Sequence, residues 1–149
     1  MQSLTSKSPL YDKRIAGGLS TIFELIVDVF THFEDLTWST KKQEEFGFYE
    51  KDKVTKSDIF CGIWFESWIH FEIPLCIAFD YQGNAPVEKY QQLKTFIEKK
   101  NIKGLIFRDY NGFALVLFDS DFFNFEDDMA RVKHLFLEIS TFVGMNNRL

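Results

Sequence analysis

Glu66 and His70 come nearest to a reactive arrangement in this chain. On a helix, a spacing of four residues puts both on one face, where a carboxylate and an imidazole can share acid–base work or supply two metal ligands. A metal site wants a third ligand and the sequence is not H-E-x-x-H, so a solvated Glu/His pair is the plainer use of the same residues. Glu72 and Asp80 would join them only in a shared cleft. Asp119, Asp121, Glu126, Asp127 and Asp128 lack the glycine and the twelfth-position glutamate of a calcium loop and read as acids opening a helix. The "AGG" at 16–18 has neither the length nor the Lys-Ser/Thr ending of a phosphate loop. Cys61 and Cys76 sit in apolar runs, which raise a thiol's pKa and suit buried small hydrophobes. His32, His70 and His134 are scattered, so neither a metal nor a cofactor is expected.

The element that carries Glu66 and His70 has two readings. As a strand, Cys61, Ile63, Phe65, Ile69 and Phe71 face the core, and Trp64, Glu66, Trp68, His70 and Glu72 share the other side. As a helix, Trp64, Phe65, Trp68, Ile69 and Phe71 form an apolar arc and Glu66, Ser67 and His70 a polar one. Periodicity does not decide between them over residues 64–72.

Elsewhere the pattern is clearer. Ile22, Leu25, Ile26, Val29, Phe30 and Phe33 predict a helix over 20–34, with Thr21 and Glu24 at capping-box spacing. Phe46 and Phe48 alternate in a short exposed strand ahead of a charged loop. "PLCIAFDY" is a buried strand over 74–81, broken by "QGNAP". Pro86 suits the first turn of a helix bearing Tyr90, Leu93, Phe96 and Ile97. Asn111-Gly112 between two apolar runs predicts a hairpin with strands 104–109 and 113–118, because both central residues of that turn take positive φ. Met129, Val132, Phe136, Ile139 and Val143 mark a C-terminal helix with Gly144 beyond its end. The expected fold is α+β: one layer of mainly antiparallel sheet, four to five strands including the 104–118 hairpin, packed by three main helices. Residues 1–17 read as an irregular arm and 18–149 as a single domain.

The run "GIWFESWIHFEIPLCIAF" resembles a pattern in the C-terminal part of bacterial nucleases of the PD-(D/E)XK superfamily, where a strand leads through a Trp-containing short helix to Pro-Leu and a second strand. The likeness is sharp over 59–81 and extends to 82–143 only as an order of helix, hairpin and helix. It implies the helical reading of 64–71. It also implies the non-catalytic half of such a protein. Nuclease chemistry in that superfamily needs an aspartate and a (D/E)-x-K pair, so that two carboxylates hold Mg²⁺ beside a lysine. After Asp58, neither Glu72 nor Asp80 has lysine two places on, and Glu98 with Lys100 falls on an exposed helix.

Composition narrows the function further. The chain has 149 residues, 46% hydrophobic and 26% charged, the balance of a globular domain. Glu66, His70 and Glu72 interrupt the greasiest stretch, so no membrane span is expected, and "MQSLTSKSPLYDKR" lacks a signal's apolar segment; a cytoplasmic protein is the expectation, and the resemblance implies a bacterial one. A formal charge of −5 disfavours nucleic acid unless a local basic patch exists. Lys99, Lys100, Lys103 and Arg108 are the candidates for one. The 18 phenylalanines serve cores and interfaces equally well. Trp64 and Trp68, with the Phe122, Phe123 and Phe125 loop, are candidates for partner docking. The leading expectation is a non-catalytic protein-interaction or accessory domain of a nuclease or defence-type system, with a protein partner and a homo-oligomer left open. An acid–base or metal-binding enzyme using Glu66 and His70, and a nucleic-acid-binding accessory domain, are the alternatives.

Overall fold

In the computed structural model the described residues are 19–51, 58–81, 88–124 and 126–144. They form α1 (Leu19–Thr31), β1 (Thr37–Trp38), β2 (Glu45–Lys51), β3 (Asp58–Trp64), α2 (Phe65–Phe71), β4 (Leu75–Asp80), α3 (Glu88–Lys100), β5 (Leu105–Tyr110), β6 (Phe113–Phe118) and α4 (Asp128–Phe142), with one 3₁₀ turn at Ser120–Phe122. The expected arm at 1–17, Pro86 and Phe125 lie outside the described residues.

The fold is α+β. The strands make one antiparallel sheet in the order β1-β2-β3-β4-β6-β5. Six strands stand where four or five were expected, because 59–64 is a full strand and Thr37–Trp38 adds a short edge. The strand expected to be short and exposed at Phe46 and Phe48 is the seven-residue β2, flanked on both sides, with Phe48 fully buried. Thr21 lies inside α1, two residues past its first residue, so Thr21 and Glu24 are not a capping box. The hairpin is as expected: Tyr110 pairs with Phe113, and Asn111 and Gly112 take φ of 50° and 85°.

The two faces of the sheet are closed differently. On one, Ile22, Ile26 and Val29 of α1, Leu93 and Ile97 of α3, and Val132, Leu135, Phe136 and Ile139 of α4 meet Phe48, Ile59, Cys61, Ile77, Phe79 and Phe118 in the main core. Each of these helices presents one apolar stripe, which is why their sequences show the 3.6-residue period. A buried polar link joins the layers where the Ser140 hydroxyl donates to Glu50.

The opposite face holds a smaller cluster of Phe60, Ile73, Cys76, Ala78, Leu115 and Leu117, against which Tyr49, Trp64, Phe71, Ile106, Tyr110 and Phe113 are half-buried. None of the three long helices contributes to it. Large side chains lying over the strands do the covering. Gly47 and Gly62 pair across β2 and β3, and a Cβ on either would come within 2.8 to 3.0 Å of the Phe60 ring tip and closer still to the facing backbone. The glycine pair therefore makes room for the Phe60 ring. Strands β4 and β6 are covered on both sides, so "LCIAF" and "ALVLF" read as unbroken apolar runs rather than alternations.

Candidate functional site

The site is built from the junction of β3 and α2 and from the β5–β6 hairpin. Trp64 is the last residue of β3, and the chain turns at once into α2, with the Phe65 N–H donating to the Glu44 carbonyl at 3.0 Å. Seven residues later Glu72 takes the left-handed conformation, φ 61°, and donates its N–H to the Trp68 carbonyl at 2.7 Å. Pro74 follows two residues on and lacks the N–H that another helical turn would use. The contested stretch is thus strand up to Trp64 and helix from Phe65 to Phe71.

Which side of α2 faces inward departs from the helical arcs drawn from sequence. Phe65 and Trp68 pack on the main core, Phe71 and Trp64 on the smaller cluster. Ser67, assigned to the polar arc, is buried at 1% exposure, while Ile69, assigned to the apolar arc, stands 61% exposed. Within α2, Trp68 and Phe71 at i and i+3 fix the inward side. Ser67, four residues before Phe71, falls on that side and Ile69 falls away from it.

Around the exposed side of α2 the rings converge. The Tyr110 hydroxyl donates to Glu66 Oε2 at 2.8 Å, joining β5 to α2. Its ring meets Trp64 at 5.7 Å, Phe71 at 5.6 Å and His70 at 4.9 Å between centroids, and Trp64 meets Phe113 at 4.9 Å. These are the tilted and edge-on contacts that aromatic quadrupoles favour. The bond to Glu66 raises the Tyr110 pKa, since a phenolate there would face a carboxylate, so Tyr110 remains a donor. Glu66 and His70 therefore do meet, but through Tyr110 and on open surface. Neither faces the other across a cleft that excludes water.

The other residues singled out from sequence are dispersed. Phe122 and Phe123 are 3% and 8% exposed in the main core, and the Arg131 guanidinium lies 4.0 Å over the Phe122 ring, so these two fill space and do not form a docking loop. Lys99 and Lys100 do not share a face of the sheet with Arg108. Lys100 is ion-paired with Glu138 at 2.6 Å, and α3, which carries Lys99 and Lys100, packs on the main-core face. Arg108 pairs with Leu115 and so points to the opposite face. Cys61 and Cys76 also belong to opposite faces of the sheet. Burial raises the pKa of both thiols, that of Cys76 to about 12. Among the described residues no group of three or more His, Cys, Asp or Glu side chains is placed to hold a metal ion. None of their helices is long and apolar enough to cross a membrane.

Sequence reasoning missed Tyr110, Phe113 and the exposure of Ile69. The hairpin held the signal for the first two: residues flanking a two-residue turn sit opposite one another on one face. No known protein family, curated protein or solved structure matches the chain.

Proposed function

We infer that this protein is a non-catalytic interaction or accessory module that docks a protein partner on the outer side of α2. The observation that carries this reading is Ile69, 61% exposed on a helix whose inner side is locked by Trp64, Trp68 and Phe71. A large aliphatic group held out on a short helix, with the exposed polar residues Glu66 and His70 on the same element, has the make-up of a binding hot spot. The exposed rim on α2 and its cap is Glu66, His70 and Glu72, with no lysine or arginine on the helix. The partner it fits is an apolar segment carrying basic side chains. The likeness of residues 59–81 to the C-terminal part of PD-(D/E)XK nucleases supports placing that partner in a bacterial nuclease or defence-type system.

The test places a photo-crosslinking amino acid at position 69 in the chain expressed in its own host. One discrete protein adduct is expected, absent when the same amino acid replaces Thr95, which is exposed on α3. Equal labelling from both positions would remove the α2 surface from the account. The acid–base alternative has one supporting observation, the meeting of Glu66 and His70 on Tyr110. The open surface around them favours docking over chemistry, which gains from excluding water.

A further inference from the structure

We propose that the ring-paved face of the sheet carries a recognition site for an arginine side chain of the partner, with Glu66 and the half-buried rings of Trp64 and Tyr110 as its contacts. Resting on the docking reading above, this site gives the partner's basic group a place.

Aromatic rings attract cations to their faces, and elsewhere in the molecule the chain supplies those cations itself. Lys89 lies 5.9 Å from the centroid of Phe142, Lys100 4.8 Å from that of Phe96, Arg131 4.0 Å from that of Phe122 and Lys133 5.8 Å from that of Phe33. All four rings belong to the main-core side. On the other side Trp64, Phe71, Tyr110 and Phe113 are half-buried, and among the described residues no lysine or arginine lies over any of them. Arg108 precedes Tyr110 by two residues on the same face of β5, yet it curls back to donate to the Phe107 carbonyl at 2.8 Å.

The carboxylate beside these rings also lacks a cation. Glu66 accepts the Tyr110 hydroxyl through Oε2 at 2.8 Å, and no described lysine or arginine pairs with it. The residue is exposed, which leaves Oε1 to accept from outside. Rings and carboxylate together therefore offer negative potential that the chain leaves unanswered, the complement of a positive group on a partner.

A guanidinium fits this arrangement better than other cations. It is flat, so it can stack on a ring while its in-plane N–H groups reach a carboxylate at the ring's edge. A quaternary ammonium wants rings standing apart around an empty volume. Here the Tyr110 ring already meets Trp64 and Phe71 edge-on at 5.7 and 5.6 Å, and Trp64 meets Phe113 at 4.9 Å, which leaves outer ring surface rather than a gap. A nucleobase also stacks on such rings, but the Glu66 charge opposes the phosphate that accompanies it.

The test is NMR titration of the whole chain with N-acetylarginine methylamide, beside its neutral isostere N-acetylcitrulline methylamide, the trimethyllysine equivalent and a single-stranded oligothymidine. The arginine probe is expected to shift the Trp64 indole, the Tyr110 ring and the Glu66 amide saturably in the millimolar range, with citrulline at least about fivefold weaker. Glu66→Gln, an exposed change that leaves the rings in place, is expected to weaken arginine at least about threefold. Absence of saturable shifts at these residues, equal binding of citrulline, tighter binding of trimethyllysine or oligothymidine, or full arginine affinity in Glu66→Gln would each overturn the proposal. A crosslink from position 69 alongside failed arginine binding would remove this site and keep the docking surface. Arginine binding without that crosslink would do the reverse.

Discussion

The two faces of the sheet bury apolar surface by different means. Three amphipathic helices close the main-core face, and its large side chains, Phe48, Phe79, Phe118 and Phe136, are fully buried. On the other face rings lie over a glycine pair and against one another, and Trp64, Phe71, Tyr110 and Phe113 stay half-exposed. A helix layer removes side chains from water completely and leaves nothing to recognise. A paving of rings protects Leu115 and Cys76 beneath it while presenting its own upper surface. The same residue types that stabilise one side are therefore half-exposed on the other, and Glu66, bonded to Tyr110, stands at its margin.

That contrast orders the substitutions that would break it. Phe136→Ala removes a ring that meets Phe33 and Phe48 at 5.7 and 5.4 Å in the main core. It is expected to cost about 3–5 kcal/mol in urea unfolding. Gly62→Ala places a Cβ 2.2 Å from the Phe46 carbonyl oxygen and against the Phe60 ring, at a φ of 150° that other residues rarely adopt. It is expected to cost about 1–3 kcal/mol, with Phe60 resonances shifted in NMR spectra as its ring is displaced. A loss from Gly62→Ala equal to that from Phe136→Ala would erase the distinction between the faces.

Tyr110→Phe keeps the ring contacts and deletes only the exposed bond to Glu66, so its urea-unfolding midpoint is expected to fall only slightly, and by less than that of Gly62→Ala. Asp58 gives the smallest effect and the opposite sign. It lies between Lys51 and Asp80 at the end of β3, and burial first, then Asp80, raises its pKa against the pull of Lys51. A carboxyl with a raised folded pKa stabilises the fold fully below its unfolded pKa, and that contribution is lost as pH rises through the folded value. Asp58→Asn is accordingly expected to gain a few tenths of a kcal/mol at pH 7, discounted for the site's exposure. The gain should vanish in acid below the ordinary carboxylate range. Thermal melts at both pH values check it.

Much of the main-core face was legible in the sequence, because α1, α3 and α4 each show a single apolar stripe and Asn111-Gly112 fixes the hairpin. The second face was less so. Residues 59–79 are apolar almost throughout, since β3 and β4 are covered on both sides, and an unbroken run carries no period to mark where strand passes into helix. The sense of α2 was misread at Ser67 and Ile69 for a related reason: hydropathy alone favours Ile69 inward, while the spacing of Trp68 and Phe71 decides otherwise. Phe122 and Phe123 resemble a sticky loop in sequence because the 3₁₀ turn that carries them into the core has no periodic signature of its own.

If the outer side of α2 serves docking and not folding, Ile69→Asp separates the two. Urea unfolding and co-purification from the native host would be read on the same preparation, beside the wild type. The expected result is an unfolding free energy within about 0.5 kcal/mol of wild type, as for a surface change, together with loss of the stoichiometric partner. A partner retained at wild-type levels, or a fold that collapses with the substitution, would contradict it.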